Sequence, residues 1–522
     1  MGWQSGSFFK KNMKQFRILV VLVALVCCSI NAKGIGNRSY ENLISALSNN
    51  KTYYVISEEV DLSGKTIEFP KNAIIDFRGG VIRNGTIICN DNTLVGFSGL
   101  SENVSVKGTV RGPLNVSVFM LRDQDRSFDL GRVLNKAGKI CNSIIIPEGE
   151  YYYQTPIILE NIKYYQQTGD LIYNGKAKDV TTFKFYNAFT AVINIMGKIA
   201  YDSDLSIINY TKTNRTNIVG VEFANINNSR IYIGDVEYFN NNIRISAYGS
   251  GNCYNQYEFN LSVFSNEHVR IYQADRPSGQ IGWCNENIFI GGRFCNWSHF
   301  DWKRCESVAI KIEGAGKNDT YNSVNSLLFI KPCMEGYAGA AVYAKNVTGC
   351  HWQDARTEDS SVFVKFVGNC HYNEVNTLYG NEEIDYRECT TYPLIVRDII
   401  PVFSTMDSNS RVIDVNTKDA KLFKVVFNNA DAKARVGVQY LTEASGKSIV
   451  HNKQKNMVRP RSTSHPSSYY YNTNSNQWML GADASESSFV VPNEVTKIRI
   501  TLSGKFSGAV VYSNKQTEVK EL

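Results

Sequence analysis

Past Ala32 the chain holds no apolar run of the ~20 residues that a spanning helix needs. It also lacks a surplus of one charge and any spacing typical of metal ligands. Each absence removes a class of function. At the N-terminus Lys10, Lys11, Lys14 and Arg17 precede an apolar core from Ile18 to Cys28, and Ala32 closes a small-residue stretch. This pattern predicts a secretory signal peptide over residues 1–32. Met13 serves equally well as a start. Cys27 and Cys28 raise lipid attachment, but Val26 is bulkier than the small residue such a signal carries before its cysteine. Simple export is the expectation, to the medium, the cell surface or the periplasm. The four basic residues leave with that segment, so 52 basic side chains face 49 acidic ones, a net +3 instead of +7. A nearly neutral chain has no electrostatic footprint for nucleic acid or anionic lipid.

Ten cysteines remain after cleavage. No CxxC and no Cys/His cluster at zinc spacing occurs among them, so neither a metal nor another cofactor is expected. In an exported protein cysteines are able to pair. Cys295 and Cys305 flank one insertion and would staple it. A chain of this size does not depend on disulfides, and burial as small hydrophobes is the plainer reading.

Residues 52–112 hold no run long enough for an amphipathic helix. They hold short β-rich runs instead: Ile67–Phe69, Ile74–Phe77, Val81–Ile82, Thr86–Cys89, Leu94–Val95 and Val104–Val106. Gly, Asn or Asp separates nearly all of them, and these residues tolerate left-handed turns. Such a chain turns constantly, which fits a coil of parallel strands better than an antiparallel sandwich. Residues 124–140 break the texture. Phe128, Leu130, Val133 and Leu134 have roughly helical spacing, and Asp129 is placed to cap one short helix. Then comes "SIIIPEGEYYYQTPIIL", from Ser143: strand, Pro-Glu-Gly turn, strand, and a further strand after Pro156.

An internal repeat lies further on. "GCHWQDARTED" begins at Gly349 and "NCHYNEVNTLY" at Asn369, so Cys350 and Cys370, His351 and His371, and Asp354 and Glu374 are each 20 apart. Looser echoes begin at Asn252, Trp283 and Tyr321. A period of this size in β-rich sequence marks a solenoid. About 340 residues at roughly 22 per rung give ~15 rungs and a rod ~70 Å long, fewer once insertions are counted. The C-terminal part differs. "SSFVVPNEVTKIRITLSGKFSGAVVYSN", from Ser487, reads as antiparallel strands joined by tight turns. The expected division is a signal peptide at 1–32, a lead-in β-segment at 33–122, a solenoid at 123–400 and a β-sandwich at 401–522.

The helix and the segment Ile146, Pro147, Glu148, Gly149, Glu150, Tyr151 resemble the start of the pectate-lyase-like right-handed parallel β-helix, in the branch of rhamnogalacturonases and epimerase-like proteins. "NENIFIGGRF" and "CMEG…GCHWQDARTED" look like rungs of that superfamily and of phage tailspikes. The resemblance covers roughly residues 52–400. It implies an all-β chain: a right-handed parallel β-helix with a short N-terminal capping helix and a C-terminal β-sandwich. It departs from the family where the usual "GDGxTDD" shrinks to "DQDRSFD", Asp123 to Asp129. Neither the Asp-rich calcium site of pectate lyases nor the "NTD…GDD" pattern of polygalacturonases is present, so a pectinase proper is not implied.

A β-helix offers a long repetitive face that suits an extended polysaccharide. Carboxylates one rung apart stand ~5 Å from each other and two rungs apart ~10 Å. Retaining glycosidases use about 5 Å and inverting ones roughly 6.5–9.5 Å, whereas a lyase needs a base beside a uronate and a cation on its carboxylate. By the 20-residue repeat, Asp354 and Glu374 are candidate catalytic carboxylates with Arg356 beside them. The plainer reading is a solvated rung face. Glu358 and Asp359 are similar candidates on a turn, Glu335 a third kind, each with a turn role as the plainer reading. The stretches from Ser265 and Cys295 read as insertions, which map to loops often found at binding faces. They bring Asp275 and Asp301 as acid/base candidates. Trp283, Trp297, Trp302 and Arg276 are their sugar-binding candidates, since tryptophan offers a flat apolar face to a sugar ring. Packing of the loops is their plainer role. His351 and His371 are expected as an inward or turn-facing stack. The chain is therefore read as a secreted carbohydrate-active protein, a glycoside hydrolase or polysaccharide lyase. A glycan-binding adhesin, or a tailspike-like fibre assembled as a homotrimer, is the alternative.

Overall fold

The computed structural model describes residues 34–35, 40–49, 51–177, 179–202, 217–273, 282–296, 307–315, 323–380, 383–389, 400–406, 410–420, 422–428, 435–441, 469–472, 477–480, 486–491, 496–504 and 506–522. The signal segment, Asp275, Arg276, Trp297, Asp301, Trp302 and Cys305 lie outside the described residues. The chain divides into two units, Met1–Gly169 and Asp170–Leu522.

Among the described residues of the first unit the strand pairings are parallel. Gly34–Ile35, Tyr53–Ile56, Ile74–Phe77 and Thr86–Gly96 pair in series. Thr66–Glu68 and Ser105–Val110 flank Thr86–Gly96 on a second sheet. Partners such as Tyr53 and Ile74, or Thr66 and Thr86, are about one rung apart in sequence, so the lead-in segment is already a parallel coil. Alternation drives it: Ile75 and Phe77 are buried while Ile74 and Asp76 are only half-buried. Asn72, Asn84, Asp91 and Ser98 turn the corners at positive φ, where a short polar side chain costs least. A helix at Tyr40–Leu47, absent from the sequence reading, buries Leu43 and Leu47.

The expected helix spans Leu130–Ile140 and buries Leu130, Val133, Leu134, Ala137 and Ile140. Asp129 caps it, accepting from the Gly131 amide at 3.2 Å. The same carboxylate accepts from the amides of Gln154 and Thr155 at 3.0 and 3.1 Å and from the Thr155 hydroxyl at 2.6 Å. One aspartate thus starts the helix and ties it to the next rung. That rung is the Pro-Glu-Gly stretch: Ser143–Ile146, Glu150–Tyr153 and Ile157–Glu160. Ser143–Ile146 pairs in parallel with Leu114–Asn115 on one side and Tyr164–Gln167 on the other.

Within the second unit lies a parallel β-helix with three long sheets. Sheet 1 stacks Thr181–Tyr186, Val219–Ala224, Asn241–Ala247, Glu267–Gln273 and Val308–Glu313. It ends on the later halves of Cys333–Lys345 and His351–Gly368, then Ile384–Cys389. Sheet 2 stacks Val192–Ile195, then the first halves of Arg230–Glu237, Gln256–Val263 and Ile288–Cys295, then Leu328–Ile330, His351 to Gln353 and Glu374–Tyr379. Sheet 3 takes the later halves of Arg230–Glu237, Gln256–Val263 and Ile288–Cys295, followed by Cys333 to Glu335 and Arg356 to Ser360. A short fourth ladder joins Gly251–Cys253, Trp283–Asn285, Val324–Asn325 and Val347–Thr348.

Aromatic side chains stack through the interior of consecutive rungs. Tyr257, Phe289, Phe329 and Trp352 are register partners with ring centroids 5.2, 4.6 and 5.4 Å apart. Rung length is uneven because loops interrupt it. Val219 pairs with Asn241, but Glu267 pairs with Val308. Around the repeat the offset is 23 residues, with His351 opposite Glu374 and Trp352 opposite Val375. The 20-residue spacing is therefore not the register. His351 stacks on no histidine: it sets Nε2 2.8 Å from Glu374, while His371 bridges to Thr348.

The remainder is antiparallel. Ile400–Thr405, Gly508–Ser513, Leu422–Asn428 and Glu486–Val490 form one sheet. Arg411–Asn416, Lys497–Ser503 and Arg435–Leu441 centre the other. Ile413, Val415, Phe423, Val425, Ile498, Ile500 and Val511 share one core, which makes a β-sandwich. Among the described residues no helix is long and apolar enough to cross a membrane. The nine described cysteines form no disulfide, and seven are buried.

Candidate functional site

Sheet 3 carries a fully buried row of side chains between two flanking rows. Phe294, Met334 and Thr357 are buried, and their neighbours Arg293, Cys333 and Arg356 form one outward row. The row on the other side carries Cys295 and Glu335, both buried, and Glu358, which is half-buried. Glu335 and Glu358 are direct register partners on adjacent rungs. Parallel strands put their backbones about 4.8 Å apart.

Each glutamate has its own arginine. Arg293 donates through Nε and an Nη to the two oxygens of Glu335 at 3.2 and 3.0 Å. Two parallel bonds of this kind fix the carboxylate's orientation as well as its charge. Arg356 is ion-paired with Glu358 and lies with its guanidinium 5.8 Å from the Tyr379 ring centroid. The Cys333 thiol donates to Glu335 at 3.2 Å and is pushed up to about 12, by burial first and then by Glu335. A thiol held in this way is a weak nucleophile. The pairing raises both guanidinium pKa values, each through the hydrogen bond to its glutamate. Beside Glu358 lies a shallow depression of about 680 Å³, lined by Thr357, Glu358, Asp359, Ser360, Leu378, Tyr379 and Gly380. Tyr379 is 65% exposed and Leu378 70%, so two apolar side chains stand open to solvent at the rim of an otherwise mostly polar depression.

Of the candidates read from sequence, the fold brings Glu335, Glu358 and Arg356 together. It does not pair Asp354 with Glu374. Asp354 sits at φ 52°, inside the stretch where the register slips between Trp352 and Ala355, and Glu374 faces His351 on sheet 2. Arg356 accordingly serves Glu358, not Asp354. Trp283 is 48% exposed on the fourth ladder, opposite Gly251, and belongs to a different sheet from the two glutamates. Asp275, Arg276, Asp301, Trp297 and Trp302 lie outside the described residues.

Arg293, Cys333 and Tyr379 were missed. A signal for the first two exists. "RFC" at Arg293, "CME" at Cys333 and "RTE" at Arg356 are register-matched triplets with a fully buried middle residue. It becomes visible only once the insertion between the first and second triplets is known.

No protein-family model and no curated protein sequence matches the chain. Solved structures with a similar course of the chain include the tailspike protein of the E. coli bacteriophage HK620 in complex with a pentasaccharide. That likeness has a TM-score of 0.35 at 11% identity over 91% of each chain. They also include the enzymatically active domain of bacteriophage CBA120 tailspike protein 2, with a TM-score of 0.31 at 9% identity over 76% of this chain and 79% of that one. At these values the likeness is one of general course only; the parallel β-helix stands on the strand pairing itself.

Proposed function

We propose that the protein is an exported carbohydrate-active enzyme that lays an extended polysaccharide across the rungs of sheet 3 and cleaves it between Glu335 and Glu358. The observation that carries this reading is the register: two carboxylates are direct partners on adjacent rungs, whose backbones stand ~4.8 Å apart, near the ~5 Å that separates the carboxyl groups of a retaining glycosidase. Glu335 is the more buried and is held by Arg293 through two bonds, which suits the anionic member that attacks or stabilises the sugar cation. Glu358 borders the open depression and is placed to pass a proton to and from the leaving oxygen. Tyr379 and Leu378 offer apolar side chains to a sugar ring, and the arginines offer donors to its hydroxyls.

A second reading is supported by one feature: both carboxylates are already ion-paired. A face of satisfied charges also serves recognition without cleavage, as in an adhesin. Incubation of the mature chain with a panel of plant, host and bacterial polysaccharides separates the two. Reducing ends are read together with the ultraviolet absorbance of an unsaturated uronate. Reducing ends without that absorbance are expected from wild type, and about 10²–10⁴-fold less from Glu335→Gln and Glu358→Gln. Binding without product on every glycan would replace the enzyme by the adhesin. Product with the absorbance would replace hydrolysis by elimination.

A further inference from the structure

Sheet 1 carries a different outward row. Register places Lys184, Glu222, Arg244, Arg270, Lys311, Tyr343 and Lys365 at one position of successive rungs. Nearly all of its charges are answered locally. The carboxylate of Glu222 is buried and accepts from Ser246 at 2.7 Å, Tyr248 at 2.6 Å and Thr181 at 3.1 Å, with Lys184 at 3.7 Å. Arg270 is paired with Glu313 at 2.8 Å, and Lys311 with Glu267 at 2.8 Å.

Arg244 is the exception. Its register neighbours are Glu222, whose oxygens are taken, and a second cation, Arg270. Among the described residues it has no ion pair, and its buried Nε, like that of Arg270, has no hydrogen-bond partner. Its guanidinium stands 5.6 Å from the ring centroid of Tyr272, which Arg270 shares from 5.0 Å. The Tyr248 hydroxyl reaches that of Tyr272 at 2.9 Å. Like charges directly across a sheet repel, and a half-buried cation without an anion is costly. An arginine held over an aromatic ring with no anion of its own is a ready fork for an oxyanion.

We propose that Arg244, with Arg270 and Tyr272, forms a subsite for the acidic group of a polysaccharide, a uronate carboxylate or an ester sulfate. The subsite shares with the function proposed above only the polysaccharide as ligand. It lies on another sheet from Glu335 and Glu358 and does no bond-breaking. It makes the chain selective for charged glycans.

Affinity electrophoresis in native gels tests it, with polygalacturonate, alginate, hyaluronan and dextran sulfate against methyl-esterified pectin and neutral dextran. Wild type is expected to bind at least one acidic polymer ten times or more tighter than the neutral ones, with the preference weakening as salt rises. Retention by the uronates, or by dextran sulfate alone, tells carboxylate from sulfate. Arg244→Gln is expected to lose about tenfold, one unpaired charge contact. Arg244→Lys keeps the charge and recovers part of it. Equal melting temperatures exclude misfolding. Glu335→Gln should keep the preference for charge while losing cleavage, so either reading can fail without the other. Equal retention of charged and neutral polymers by wild type, or an Arg244→Gln protein that binds like wild type, overturns the subsite.

Discussion

Single side chains set the chemistry here through burial and through what they face. His268 on sheet 1 is fully buried, with Nδ1 2.9 Å from the Ser262 hydroxyl and Nε2 3.2 Å from the Asn296 side-chain oxygen. Burial depresses its pKa from 6.5 to about 3. The unfolded chain therefore takes up a proton near pH 6.5 that the folded chain refuses until about pH 3. Stability from this residue is complete above pH 6.5 and is lost as pH falls through that window, up to a few kcal/mol at about 1.4 kcal/mol per unit. The melting temperature of wild type should fall more steeply between pH 7 and pH 4 than that of His268→Gln. Parallel slopes would show that the imidazole is not refusing the proton. The sequence marks acidic residues and tryptophans as chemically interesting but not their partners. Glu335 and Glu358 were legible as candidates; Arg293 was not, because 40 residues and an insertion separate it from Cys333, its partner on the next rung.

At the scale of strands and stacks, short runs punctuated by Asn and Gly were enough to predict parallel coils, and Asp129 was legible as a helix cap. The register was not. Motif identity between Gly349 and Asn369 counts 20 residues, whereas hydrogen bonding counts 23, since what must match between rungs is the buried side chain. Trp352 shows this. It is 1% exposed and stacks on Phe329 at 5.4 Å, continuing the ladder through Phe289 and Tyr257. Trp352→Ala empties a large volume inside that ladder and should cost about 3–5 kcal/mol in urea unfolding. Trp352→Phe keeps the stack and removes a buried indole N–H that has no partner, so its loss should be much smaller. Equal losses from both would mean that the indole's size, not the ring stack, is what the rung requires.

Over the whole molecule, a parallel coil and an antiparallel sandwich occur in one chain. The coil repeats one backbone geometry many times, and function follows from which side chains two or more rungs bring into line. Glu335 and Glu358 on sheet 3, and Arg244 and Arg270 on sheet 1, are such alignments. A solenoid places them by nearest-neighbour stacking alone, so the ~4.8 Å between the backbones that carry the pair is a property of the fold. The central claim is that this spacing is catalytic. The anomeric configuration of sugar freshly released from a cleaved polysaccharide, followed by proton NMR before mutarotation, tests it most directly. A pair about 5 Å apart predicts that the configuration of the broken bond is retained in the first product. Inverted product, or release undiminished in Glu335→Gln and Glu358→Gln, would contradict the account.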